Sequence, residues 1–481
     1  MKKVYVLLMV VGVLSLNAWA EDVAVSQTDI LERLERLEKR QQELEELLKE
    51  KDAKIVELEA RAAEVEELEL ESQVTKIEEL QSQAAQSEEQ LDAVVEKVFP
   101  ADQDDFMASI FWEPDERIGN LLDEPRYFRI PETNTYLDIG GYIMFDAIYD
   151  TKKMGNKTGF SPSTIPTDFN GTEGETTFSA GQTRLHLKSI TPTEYGDLKT
   201  LVEFDFYNTD NSADFHSLRY WGELAGWGAG RQFSAFMDIS VFPNILDYWG
   251  PNGMIFIRQP QGRYTHSFDE GPDWAIALED PDSDVTAPPG VDGEGAETLP
   301  DFTTHLRWED DFGHLQLSGL LRKITFEADT GSDESTTGWG VNLSSAIKTV
   351  DKDRIVLQSV YGEGIGRYMN DTCCGSGGLD AAFDGSGDLE ALPTYGGFLY
   401  YDHWWNEKFS SSLGYGYAWV DNNAGQTNDA FHNSHYTSTN LIWHPVDTVK
   451  VGFEVMYGQV EDKGGDTGDN VRLQSSAQWK F

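Results

Sequence analysis

The chain of 481 residues sets 84 acidic side chains against 37 basic ones, a formal charge of −47. That balance leaves no cationic footprint to neutralise phosphates and excludes nucleic acid as a partner. Two adjacent cysteines exclude a disulfide scaffold, and 12 % aromatic residues with 44 glycines suit β-structure with glycine-rich turns.

Lys2 and Lys3 open the chain ahead of an apolar run at 4–16, and Ala18-Trp19-Ala20 follows as a small-x-small cleavage pattern. Residues 1–20 therefore read as a secretory signal peptide, because the run is too short to span a membrane as a helix. No later segment holds eighteen consecutive apolar residues, which rules out a helical membrane protein. From 27 to 97 there is no proline, glycine or aromatic residue, and apolar side chains recur at Ile30, Leu34, Leu37, Leu44, Leu48, Ile55, Leu58 and Val65. Steps of three, four or seven make an a/d seam and predict a coiled coil. Gln41 and Lys51 interrupt the seam, the register slips by one near 66–70, and it resumes at Ile77, Leu80, Ala84, Leu91 and Val94. Heptads sustained this long favour self-association over a lone charged helix, while the a/d residues leave the oligomer state open. Residues 98–136 read as a linker.

From 137 to 481 the pattern changes to short segments of alternating polarity between Gly-, Asp-, Asn- and Pro-rich stretches. The first eight are 137–150, 181–190, 198–207, 215–224, 227–233, 255–265, 274–278 and 302–308. The second eight are 313–324, 338–347, 354–364, 395–404, 409–420, 435–443, 449–457 and 470–481. The segments 274–278 and 302–308 are the least regular, so fourteen or eighteen strands stay open beside sixteen. An even number, with short turns alternating with longer loops, predicts an all-β transmembrane barrel of about 16 antiparallel strands behind the N-terminal coiled coil. In the last segment Val471, Leu473, Ala477, Trp479 and Phe481 share one parity, with Arg472, Gln474, Ser476, Gln478 and Lys480 on the other. The segment before it sets Val449, Val451, Phe453, Val455 and Tyr457 against Lys450 and Glu454. An apolar face ending on an aromatic ring suits a strand between lipid and water; in a soluble protein it is an aggregation hazard.

The stretches LDIGGYIMFDAIYD (137–150), LVEFDFYN (201–208), GRQFSAFMD (230–238) and RQPQGRYT (258–265) resemble the DcaP-like outer-membrane porins, as does FPNILDYWGPNG (242–253). The resemblance is specific over 137–265. It implies a homotrimer of sixteen-stranded barrels with a periplasmic coiled coil, passing small, dicarboxylate-like organic anions.

A channel needs a constriction whose side chains replace part of the solute's hydration and set the sign of charge admitted. Arg184, His186 and Lys188 alternate with Leu185 and Leu187 and predict a basic ladder facing the lumen. By the same parity Arg219, Arg263 and Arg322 face inward; Arg258 has the opposite parity and enters only through a bulge at Pro260. Arg231 is a further candidate. Glu203, Asp205 and Glu223 also read inward and face the arginines across the pore, where opposed signs create a transverse field. The proline-broken loop 236–253 is the natural constriction, lined by Phe242, Asp247 and Trp249.

Acidic runs at 278–285, 329–335, 384–390 and 461–469 fall in candidate loops. There they repel anions only over about a Debye length, ~8 Å at physiological salt. The stretch DAAFDGSGDLEA lacks the third-position carboxylate and the closing Glu of a calcium loop, so it reads as solvated charge, and no metal or other cofactor is expected. Cys373-Cys374 are a vicinal disulfide or inert thiols; both stay open. No nucleophile elbow, phosphate loop, zinc motif or Ser/His/Asn set appears, and the chain is not expected to be an enzyme.

The sequence thus predicts an outer-membrane porin for passive diffusion of small anionic or dipolar organic solutes, its coil in the periplasm. A phosphate-type porin is the nearest alternative, one that dense constriction lysines favour. A structural tether is the other, with the coil touching the cell wall.

Overall fold

The computed structural model describes residues 127–168, 173–268, 271–287, 290–329, 333–372 and 379–481, together with Lys39, Lys49, Lys51 and Lys54. These four lysines are helical and exposed. The signal peptide, the remainder of the heptad segment, the linker up to residue 126 and Cys373-Cys374 lie outside the described residues.

Period-two sequence becomes strand in sixteen places. The first eight are β1 (Tyr136–Lys152), β2 in two pieces (Glu173–Ser179 and Arg184–Thr193), β3 (Gly196–Asp205), β4 (His216–Leu224), β5 (Trp227–Phe233), β6 (Arg258–His266), β7 (Asp273–Glu279) and β8 (Asp301–Asp310). The second eight are β9 (Gly313–Ala328), β10 (Glu334–Lys348), β11 (Arg354–Glu363), β12 (Pro393–Asn406), β13 (Phe409–Val420), β14 (Phe431–Val446), β15 (Val449–Asp462) and β16 (Thr467–Lys480). Each pairs antiparallel with its chain neighbour, and β16 pairs with β1 from Tyr142↔Lys480 to Asp150↔Arg472. The result is a closed sixteen-stranded antiparallel barrel. All sixteen alternating segments are strands, including the irregular pair, which meets in register as Ala277↔Thr303. The end of the expected linker is ordered: Phe128–Arg129 forms a small hairpin on Tyr136 and Leu137.

Closure matters because a backbone N–H or C=O facing hydrocarbon has no other partner. The last residue takes part, its amide donating to the Gly141 carbonyl and its carbonyl accepting from the Gly141 amide at 3.1 and 3.2 Å. Gly141 has a φ of +156°, and a Cβ there would meet the Arg184 carbonyl oxygen at 2.2 Å. Outward positions are apolar and exposed, among them Ile143, Phe145, Val202, Leu321, Leu399 and Phe453. So much exposed apolar surface is tolerable only against lipid.

The inward positions divide the barrel into two unlike walls. On β1 and β16 they are mostly polar, with Asp146, Asp150, Asn470, Arg472 and Gln474 buried beside Met144 and Ile148. On β11 to β15 they include Val356, Val360, Phe398, Tyr400, Ala418 and Met456, which pack with Phe236, Met254, Ile255, Tyr368 and Met369 from inserted loops. This side of the lumen therefore holds a hydrophobic core, with Gln358, Asp402, Asn440 and Glu454 buried among it.

The seam between β16 and β1 carries a buried ion pair. Arg472 donates from Nε and Nη2 to the two Asp150 oxygens, each at 2.8 Å, and its guanidinium lies 5.3 Å from the centre of the Phe160 ring. Removing one partner strands the other charge inside, at a cost of about 3–5 kcal/mol. Arg472→Met is expected to lower the temperature at which the folded, heat-modifiable gel band disappears, and Asp150→Asn in the same chain to restore part of the loss. An unchanged transition would show that the pair does not staple the seam.

Candidate pore eyelet

Loop 234–257 leaves β5, crosses the lumen and returns to β6. Its backbone groups would be orphaned inside the barrel, and inward side chains of the wall take them up. Ala235 N donates to Glu279 at 2.8 Å, Asn244 N to Asp402 at 3.1 Å, and the Leu246 and Asp247 amides to Glu454. Asn440, Asn342 and Gln358 donate to the carbonyls of Asn244, Phe236 and Gly253 at 2.8, 3.0 and 3.0 Å. Loop 364–392 lies beside it, with Phe256 N donating to Tyr368 O at 2.9 Å and Asn370 N to Met254 O at 2.8 Å.

The loop sits directly on bare backbone. A Cβ on Gly253, whose φ is +69°, would meet the Tyr417 carbonyl oxygen at 2.1 Å, and one on Gly416 would meet Asn252 Oδ1 at 2.4 Å. Asp247 fixes the loop from its own side, accepting from Phe160 N at 2.9 Å and Gly250 N at 3.1 Å. Burial pushes its carboxyl up to about 6, and does the same to Asp371, which ties Ser161 to Ser434 from the neighbouring loop.

Between this loop and the β1–β6 wall lies a cavity of about 450 Å³. Arg184, Arg219, Arg258 and Lys450 line it, with Tyr142, Phe233, Phe242, Tyr248 and Phe256 as aromatic surfaces. Arg184 Nη2 holds Asp205 at 3.1 Å and Arg219 Nε holds Glu203 at 2.7 Å. Asp205 also receives the Tyr248 hydroxyl at 2.8 Å and lies 2.8 Å from His216 Nδ1. Tyr248 in turn stacks on Tyr207 with ring centres 3.7 Å apart. The Arg219 guanidinium lies 5.0 Å from the Phe233 ring centre, and that of Arg258 lies 5.7 and 5.3 Å from those of Phe233 and Phe256.

Several sequence expectations need correction. Glu203 and Asp205 do not oppose the arginines across the pore: β3 lies between β2 and β4, and register places Asp205 beside Arg184 and Glu203 beside Arg219. Glu223 faces inward nearer the short turns, opposite Lys199, with Trp221 Nε1 donating to it at 3.3 Å. Arg258 enters without a bulge, since pairing runs regularly through Arg231↔Pro260; it stands at the start of β6, where the chain is still turning out of the lumen. Arg231 pairs with Tyr220 and Pro260, both exposed on the outer face, so register puts it outside the lumen.

Arg322 points inward but is enclosed by Asp301, Asp380 and the carbonyls of Gly364 and Asp282. Arg263 is held by Gln261 and the Phe233 carbonyl. His186 and Lys188 gather on Asp138 at 3.3 and 3.9 Å, away from the cavity. Phe242 and Asp247 line the cavity, whereas Trp249 turns toward Tyr207 and Tyr248 takes its place. Sequence reasoning missed Tyr142, Tyr248 and Lys450; for Lys450 the signal was present, because it lies on the polar parity of β15.

A family model described as DcaP outer membrane protein matches residues 122–481. The barrel is similar to the crystal structure of the outer membrane channel DcaP of Acinetobacter baumannii, with TM-score 0.64 and 21 % identity, covering 72 % of this chain and 98 % of that one. It is also similar to an anion-selective porin from Comamonas acidovorans, with TM-score 0.51 and 10 % identity over 72 % of this chain and all of that one. No curated protein sequence matches the chain.

If bare backbone seats the loop, a side chain at Gly416 must push it into the opening or off the wall, an overpacking cost of ~1–3 kcal/mol. Gly416→Val is expected to change single-channel conductance and lower heat stability. Gly222→Ala, where a Cβ meets nothing within 4 Å, is expected to change neither. Wild-type conductance from Gly416→Val would refute the seating.

Proposed function

The chain belongs to the DcaP outer membrane protein family, and from that premise we propose that it is a passive channel for small anionic organic solutes, dicarboxylates in particular. The observation that carries this reading is the cavity of about 450 Å³ with four cationic side chains on its wall. A solute entering so narrow a space loses part of its hydration, and fixed guanidinium and ammonium groups replace it for an anion but not for a cation. Arginine's planar fork also suits carboxylate geometry. The aromatic surfaces of Tyr142, Phe242 and Phe256 favour an organic solute over a simple ion. One lysine among three arginines, rather than a ladder of lysines, counts against the phosphate-type alternative.

Diffusion through such an opening consumes no energy and needs no group beyond the side chains. The rest of the assignment is proposed with it. Three chains associate side by side in the outer membrane, and the heptad segment 27–97 joins them in the periplasm.

Reconstituted in planar bilayers under a salt gradient, the mature protein is expected to show a reversal potential of the sign set by anion flow. In liposome swelling a four-carbon dicarboxylate is expected to enter faster than an amine of equal size. Cation preference in both measurements would overturn the reading.

A further inference from the structure

The four cations at the cavity are not equivalent. Arg184 and Arg219 each hold a carboxylate, so each presents a dipole whose field fades faster with distance than that of a lone charge. Among the described residues Arg258 and Lys450 form no ion pair; Glu454 and Asp146 act on Lys450, and Asp205 on Arg258, only from further off. Arg258 instead rests on the faces of Phe233 and Phe256, which hold a cation in place without neutralising it. Asp247, the acid that also lines the cavity, spends its oxygens on the amides of Phe160 and Gly250 and on the Tyr436 hydroxyl. Lys450 on β15 and Arg258 on β6 come from well-separated strands and converge on one opening.

Resting on the channel reading above, we propose that Arg258 and Lys450, the two cations without an acid partner, set the charge selectivity of the eyelet. Arg184 and Arg219 are positioning residues: with Asp205 and Glu203 they fix the wall to which the loop returns, and they add little net field. The difference follows from chemistry on the page. A solute anion approaching Arg219 must compete with Glu203 at 2.7 Å, whereas one approaching Lys450 meets no carboxylate in contact with it.

The test uses the full mature chain in planar bilayers, reading the chloride-to-potassium permeability ratio from the zero-current potential. Gel heat-modifiability serves as the check that each variant is folded. Lys450→Gln and Arg258→Gln are each expected to lower the ratio roughly sevenfold, since one charge about 7 Å away through water acts about threefold on each ion and in opposite senses on chloride and potassium. Lys450→Arg is expected to keep the ratio. The charge-neutral double change Arg219→Gln with Glu203→Gln is expected to shift it less than either single change. Should one of the two cation variants fail to fold, the other decides alone. A chloride-preferring wild type whose ratio ignores both cation substitutions, or responds as strongly to the double change, overturns this assignment and leaves the channel reading standing. A potassium-preferring wild type overturns the channel reading itself.

Discussion

Everything in this molecule depends on the backbone hydrogen bonds between β16 and β1. Hydrocarbon offers no partner to an unpaired strand edge, so a sheet with this outer surface is viable only as a ring. The apolar parity can then face lipid, the other parity must face inward, and any loop at lumen height must find its own partners. The bidentate Arg472–Asp150 pair at the same seam shows how closely the interior is coupled to closure, since it also reaches the carbonyl of Asn156 in the first long loop.

The interior then bears on the conflict between an acidic chain and the anion-preferring opening proposed for it. Glu279, Asp402 and Glu454 point into the barrel, yet they are buried and serve as acceptors for the amides of loop 234–257. Asp301 and Asp380 enclose Arg322. Glu203 and Asp205 are spent on arginines. Acidity inside the barrel is therefore mostly scaffolding, and the side chains lining the cavity outside ion pairs include Arg258 and Lys450.

How much of this could be read from the residues follows from the same physics. Period-two alternation is a local signal, and it located all sixteen strands because lipid on one side enforces it along most of each strand. Parity also predicted which residues point inward, down to Arg184 and Arg219. It could not tell what an inward residue meets. Arg322 and Arg263 obey the rule and are spent elsewhere, Arg322 on Asp301, Asp380 and loop carbonyls and Arg263 on Gln261 and the Phe233 carbonyl, whereas Arg258 breaks it and reaches the cavity from the first paired position of β6, next to the inserted loop. Arg231 shows the converse, a charged residue assigned inward by type when register carries it outside. Cross-strand partners such as Glu203 and Arg219 depend on a register shift between Glu203 and Phe204, where Leu218 is the extra residue, and nothing in the linear sequence announces it. The apolar inner wall of β11 to β15 was hidden for a similar reason. Gly396 and Gly416 blur the alternation there, and their meaning appears only with the loops laid against them, while Gly414 makes room for the Tyr400 ring.

That contact of loop backbone on strand backbone has a consequence for how the molecule can diversify. With no side chain between Gly253 and the Tyr417 carbonyl and Gly397 amide, rotamer changes cannot shift the inserted segment at this point, and the frame of the opening stays fixed there. The few groups that look into the gap can then be exchanged, to admit different molecules, without disturbing the architecture that holds them apart.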